Sequence, residues 1–231
     1  MKVSIIIPVY NEERTIKQVV DAVLAAPLGA DVEKEVIVVD DGSSDRTPAI
    51  LKTISGVSVI VLPENQGKGA ALKAGFLVAH GDVLLIQDAD FEYDIGDYPR
   101  LLAPIFEKRA DVVFGNRFHG EKHTVTYLRN YVGNKFLTFL TNLCTGLRLG
   151  DIEVGYKVFR KEVIDELKYG LQSKRFGIEP ELVCKVARHK ERWRVSEVPV
   201  NYSGRTYAEG KKIHWWDGVK AIFAIIYFRF F

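Results

Sequence analysis

From residue 3 to about residue 115, short apolar runs alternate with stretches of helical periodicity. The runs Val3–Pro8, Glu35–Val39, Val57–Leu62, Val83–Ile86 and Asp111–Gly115 are bounded by polar residues, the pattern of strands buried on both faces. Between the first two, Glu12–Ala26 places Ile16, Val19, Val20, Val23 and Leu24 along one helical face. Further helices are expected at about Thr47–Ile54, Gly69–Ala79 and Tyr98–Lys108. Strands separated by single helices imply right-handed crossovers, so the expectation is a Rossmann-like, mainly parallel α/β sheet flanked by helices.

The second half is less regular. Arg129–Leu143 reads as a helix, Val154–Phe159 as a strand, Lys161–Leu167 and Glu179–Ala187 as helices, and Trp193–Val198 as a strand. Asn201–His214 is polar and reads as a loop before an aromatic-rich helix, Trp215–Phe231. No linker or internal repeat interrupts the pattern. One domain over residues 1–214 is expected, in two halves, 1–115 and 116–214, with 215–231 as a tail helix.

In parallel sheets ligands bind beyond the carboxyl ends of the strands, and polar clusters fall there. Asn11-Glu12-Glu13 follows the first strand, Asp40-Asp41-Gly42-Ser43 the second, and Asp88, Asp90 and Glu92 the fourth. Three acids at i, i+2 and i+4 repel one another unless a cation intervenes. A solvated acidic loop is the plain alternative. A divalent cation carrying a phosphorylated substrate is more economical, because hard cations take oxygen ligands and share them with phosphates.

Gly42 in a turn and Ser44 or Asp45 as a helix cap explain part of Asp40–Thr47. The adjacent acids Asp40 and Asp41 are left over, and a carboxylate there can accept hydrogen bonds from a base or ribose. Asn65-Gln66-Gly67-Lys68-Gly69 opens a helix at the same edge, where anions are favoured. It lacks full P-loop spacing, and a turn with a solvated lysine reads equally well. Arg117 ends the fifth strand and faces the same crevice; His119, His123 and His214 are scattered and read as surface residues.

At 231 residues and 47% hydrophobic, the chain can bury a full core. A net charge of +2 gives no field that would announce a nucleic-acid partner. Cys144 and Cys184 have neither metal-ligand nor disulfide-framework spacing, which points to a reducing compartment. The first apolar run is too short for a signal peptide, and no run approaches the ~20 apolar residues of a membrane span. The tail combines Arg205, Lys211 and Lys212 with Trp215, Trp216 and terminal phenylalanines. That describes equally a helix packed on the body and one lying in a bilayer interface.

Together Ile6–Glu13, Val39–Thr47, Asn65–Ala70, Asp88-Ala89-Asp90, Gly115–Phe118, Asp151–Phe159 and Arg205–Lys212 resemble the family 2 glycosyltransferases, within them the dolichyl-phosphate mannose synthase-like branch. The resemblance covers nearly the whole chain. It implies a GT-A type fold that transfers a sugar from a nucleoside diphosphate donor. It also implies that Pro8, Tyr10, Glu12, Asp40 and Asp41 line the nucleotide pocket, and that Asp88 and Asp90 form a DxD motif holding the diphosphate through Mg²⁺ or Mn²⁺. A glutamine often stands at the position of Glu92 in the mannose synthases; the acid here adds a third metal ligand and opens the donor to GDP-mannose or a UDP-hexose. Arg117, Arg129 and Arg205 match arginines used on acceptor and donor phosphates.

The chemistry these residues suggest is attack by a lipid phosphate. Its second pKa lies near ~6, so its oxygen is a nucleophile at neutral pH without a protein base. It requires a metal for the departing diphosphate and cations to hold the acceptor in line. Asp88 and Asp90 serve the first need; Arg117, Arg129, Arg205, Lys211 and Lys212 serve the second, with Lys68 and Gly69 near the donor phosphates. In-line attack inverts the anomeric carbon. The expectation is a polyprenyl-phosphate or dolichyl-phosphate glycosyltransferase, peripheral on the cytoplasmic face of a membrane through its C-terminal amphipathic helix. Transfer to a hydroxyl instead needs a general base, for which Asp151, Glu153 and Glu179 are candidates. A nucleotide-sugar-binding module without turnover is a third possibility.

Overall fold

The computed structural model describes residues 1–121, 123–124, 128–205 and 215–230, with the backbone alone for 123, 124, 129 and 215–217. In chain order the elements are β1 (Lys2–Val9), α1 (Ile16–Ala25), β2 (Glu33–Asp40), α2 (Thr47–Leu51), β3 (Ser58–Val61), α3 (Lys68–Val78), β4 (Val83–Ile86), α4 (Tyr98–Phe106) and β5 (Val112–Asn116). They continue with β6 (His123–Thr124), α5 (Leu128–Thr145), β7 (Lys157–Arg160), α6 (Lys161–Leu167), α7 (Ile178–Arg188), β8 (Val195–Pro199), β9 (Tyr202–Ser203) and α8 (Trp215–Phe230).

Seven strands form one sheet in the order β3-β2-β1-β4-β7-β5-β8. The pairs β1–β2, β1–β4, β2–β3 and β5–β8 are parallel. Helices cover both faces, which is why the central strands read as continuous apolar runs; every residue of β4 is buried. The amphipathic α1 buries Ile16, Val19, Val20 and Val23, and α4 buries Tyr98, Leu101, Leu102 and Ile105. Gly75 lets α3 lie directly on Ile6 and Val39, where an added Cβ would collide with Ile6.

The structure corrects the sequence reading in the second half. The strand expected at Val154–Phe159 begins only at Lys157 and lies antiparallel between β4 and β5. Residues 154–156 instead turn beneath the site, where the Tyr156 hydroxyl donates to Gln87 at 2.8 Å. The loop expected over Asn201–His214 contains β9, which pairs with β6; residues 206–214 lie outside the described residues. Among the described residues no helix is long and apolar enough to cross a membrane.

Candidate active site

The parallel register Pro8↔Val39 and Val9↔Asp40 brings the ends of β1 and β2 to one edge, so Pro8, Tyr10 and Asp40 stand together there. Asp40 is fully buried; its Oδ1 accepts from the Ser43 amide at 3.0 Å, and its Oδ2 has no hydrogen-bond partner among the described residues. A buried carboxylate oxygen without a donor is costly, which makes Oδ2 the natural acceptor for a ligand. Asp41 differs. It accepts from the Gln66 amide (2.8 Å), the Gly67 amide (2.7 Å) and Asn65 Nδ2 (3.0 Å). These bonds make it a structural tie that fixes the 65–67 loop at the edge where the nucleotide is expected.

That loop delivers Lys68 to the start of α3. Gly67 has φ +105° and Gly69 abuts the Ser173 carbonyl, where a Cβ would collide. The glycines therefore permit close packing against residues 173–175. Lys68 reaches Asp88 Oδ1 and Glu179 Oε1, each at 2.7 Å. Burial alone would lower its pKa, but the two carboxylates outweigh that and raise it. Glu179, on α7, also pairs with Lys157, a lysine fully buried in β7. Against the cost of its own burial, Lys157 and Lys68 hold Glu179 below the usual carboxylate range.

The acids after β4 are tied by residues far along the chain. Asp88 lies against Gly155, where any side chain would overlap its carboxylate. Asp90 Oδ2 accepts from Arg205 at 2.8 Å, and Arg205 also bonds both carboxylate oxygens of Glu12, at 3.1 and 3.3 Å. Burial, then repulsion from Asp88 and Glu92, pushes Asp90 up to about 7 despite Arg205. Glu92 accepts from the Tyr202 hydroxyl (2.9 Å) and the Arg205 amide (2.8 Å). Both its oxygens fasten the 202–205 segment, and among the described residues no three His, Cys, Asp or Glu side chains converge on one point. To act as a third metal ligand Glu92 would have to exchange these bonds for the ion. Asp88 and Asp90 still offer an all-oxygen donor set in a locally over-negative site. That suits a Mg²⁺- or Mn²⁺-sized cation whose other ligands come from water and substrate phosphates.

Across Tyr202 stands Arg117, its guanidinium 5.1 Å from that ring. It forks onto Asp151, Nε to Oδ2 at 2.6 Å and Nη2 to Oδ1 at 2.8 Å. Asp151 is fully buried and also accepts from Asn134 of α5 at 3.2 Å. Burial alone would raise its pKa; the Arg117 charge outweighs that and lowers it. Asp151 thus positions Arg117 and is no free base. Glu197 of β8, missed in the sequence, holds the same turn by accepting from the Gly150 (2.7 Å) and Asp151 (3.1 Å) amides. It sits among the polar residues Arg194 and Ser196 of the expected strand Trp193–Val198, so no sequence signal sets it apart.

Glu153 is the third base candidate. Its Oε1 is buried without a hydrogen-bond partner among the described residues, and burial followed by the nearby Glu179 charge raises its pKa to about 7. Arg129 sits in the first turn of α5 by its backbone. Lys211 and Lys212 lie outside the described residues.

The model of the family described as Glycosyl transferase family 2 matches residues 4–168. The undecaprenyl-phosphate 4-deoxy-4-formamido-L-arabinose transferase of Proteus mirabilis is 31% identical over 215 residues, which cover 91% of this chain and 62% of that protein. The dolichyl-phosphate beta-glucosyltransferase ALG5C of Trichomonas vaginalis is 31% identical over 218 residues, covering 87% of this chain and 63% of its own length. The chain therefore spans about three fifths of the length of these relatives. Among solved structures, glucosyl-3-phosphoglycerate synthase from Mycobacterium tuberculosis in complex with uridine-diphosphate has a TM-score of 0.74 at 20% identity, covering 99% of this chain and 80% of that one. Its complex with Mn²⁺, uridine-diphosphate and phosphoglyceric acid has a TM-score of 0.70 at 21% identity, covering 99% and 78%. The likeness is one of fold, an α/β GT-A-like architecture.

Proposed function

This chain belongs to glycosyl transferase family 2, and we propose that it transfers a hexose, with inversion, from a GDP-mannose- or UDP-glucose-type donor to a polyprenyl or dolichyl phosphate. In this reading residues 1–115 form the donor half and 116–214 the acceptor half. The enzyme works peripherally at the cytoplasmic face of a membrane. The observation that carries the reading is a guanidinium locked by a buried carboxylate, Arg117 on Asp151, beside Tyr202, whose hydroxyl bonds Glu92 of the acid cluster. Such a pair suits an acceptor that arrives already anionic. The names of the two curated relatives, which specify undecaprenyl- and dolichyl-phosphate, support the same acceptor class.

Asp88 and Asp90 would hold a Mg²⁺ or Mn²⁺ ion, which when bound supplies charge stabilisation to the departing diphosphate. Lys68 and Arg205 already touch those two carboxylates, so each is one side chain away from donor phosphates and adds positive charge there. Pro8, Tyr10 and the unpartnered Asp40 Oδ2 face the nucleoside. Arg117 holds the acceptor phosphate in line, and Asp151 and Asn134 keep its fork from swinging. No step needs a protein base, because the acceptor oxygen is already ionised.

A second reading, transfer to a hydroxyl, is favoured by Glu153, a carboxyl raised to about 7 with an unpartnered oxygen. Transfer with labelled GDP-mannose and UDP-glucose, offered polyprenyl phosphate or soluble sugars, separates the two. Product on polyprenyl phosphate that disappears with EDTA is expected. Product on soluble sugars alone would overturn the lipid-phosphate reading.

A further inference from the structure

We infer that α5, with α8 beside it, is the surface by which this protein lies on an anionic bilayer, and that α5 sets Arg117 at the depth of lipid phosphates. The inference rests on the lipid-phosphate reading and adds a surface that the tail alone does not supply. Along α5, Leu128, Val132, Phe136, Phe139 and Leu143 recur at helical spacing, and each is more than half exposed. The stripe is about 22 Å long at 1.5 Å per residue. α8 packs against α5 and exposes Phe223, Tyr227 and Phe230 while burying Ile225 and Phe228. Contiguous exposed apolar area of this size marks an interaction surface.

Charge identifies the occupant. Residues 122–150 carry Lys122, Arg129, Lys135 and Arg148 and no acid, a net +4. Residues 211–231 are net +3, so the rest of a chain totalling +2 is net −5. Net-basic segments bearing aromatic stripes are what an interfacial helix on anionic lipid requires. A second copy of this chain would bring the same positive charge to the face.

Another side of α5 reaches the site. Asn134 donates to Asp151, Lys135 to the Gly150 carbonyl at 3.1 Å, and Asn142 to the Leu149 carbonyl at 2.7 Å. The helix thus separates the apolar stripe from the Arg117–Asp151 pair by about its own 10–12 Å diameter. An interfacial helix sinks roughly 5–10 Å into the headgroup boundary. Arg117 would then meet the acceptor phosphate without drawing it out of the headgroup layer.

The test is the full chain carrying F136S and F139S, both at exposed positions, so folding is retained and is checked by thermal unfolding. Co-sedimentation with phosphatidylcholine vesicles, with and without phosphatidylglycerol, should show binding to the anionic vesicles weakened roughly tenfold. KM for a long-chain polyprenyl phosphate in vesicles should rise by a similar factor, while KM for a water-soluble short-chain prenyl phosphate and for the donor stays unchanged. Vesicle binding equal to the unaltered chain would overturn the inference, as would a lipid-free dimer that the substitutions dissociate. Vesicle binding that depends on Phe136 and Phe139, with neither prenyl phosphate turned over, would uphold the surface and sink the acceptor reading.

Discussion

Asp151 and Glu153 stand two residues apart and have opposite electrostatic fates. The first is locked to Arg117 and held below its usual range, whereas the second has a buried oxygen without a partner among the described residues and is pushed up to about 7. Because the folded pKa of Glu153 lies above the unfolded value near ~4.5, the folded state binds its proton more tightly. The contribution of Glu153 to stability is greatest at low pH, falls as pH rises from about 4.5, and is gone above about 7. Glu153→Gln removes the penalty. Relative to the unaltered protein it should gain about 1–3 kcal/mol at pH 8 and nothing at pH 4.5, read from denaturant midpoints across that range. Equal stabilities at pH 8 would show that Glu153 is not strained. Asp151→Ala strands the Arg117 cation and should cost roughly 3–5 kcal/mol. Asp151→Asn should raise the acceptor KM without moving the pH–rate profile, since a positioning residue donates no titration.

At the level of elements, what the sequence disclosed and what it hid have separate causes. Strand ends and the acids following them are local signals, so Asp40, Asp88, Asp90 and Arg117 were placed at the correct edge. Strand direction has no such signal. β7 carries the same apolar pattern whichever way it runs, and its antiparallel insertion between β4 and β5 is decided by packing. Pairings across the chain were likewise invisible: Glu92 is engaged by Tyr202 and Arg205, and Lys68 by Glu179, from segments more than a hundred residues away. The glycines of the Lys68 loop mark a turn in the sequence, and the close packing they permit on residues 173–175 shows only in the fold. At the start of α3, Gly69→Ala would press a methyl into the Ser173 carbonyl. It should cost about 1–3 kcal/mol by overpacking and, by moving Lys68 off Asp88, raise the donor KM. Denaturant unfolding and nucleotide titration check the two effects separately. Unchanged stability would mean that the 173–175 segment yields freely.

For the whole molecule, the sequence left open whether the aromatic tail packs on the body or meets a membrane, and the structure packs one face of α8 on the body. Its inner face buries Ala221, Ile225 and Phe228, and Arg229 bonds the Cys144 carbonyl at 2.5 Å, tying α8 to α5. Burying Ile225 and Phe228 alone contributes ~1.5–3 kcal/mol each, together a large part of the ~5–15 kcal/mol by which a domain is stable. Removing residues 215–231 would also uncover Cys184 and the apolar flank of α7, which this helix covers. The truncated chain should therefore lose about 3–6 kcal/mol, with a lower midpoint in urea and loss of core packing seen by near-ultraviolet circular dichroism. Phe223→Ser, on the outer face, should change stability by no more than about 0.5 kcal/mol while weakening attachment to anionic vesicles. A truncated chain as stable as the full one would mean that α8 contributes nothing to the core, and the buried positions of Ile225 and Phe228 would then need another account.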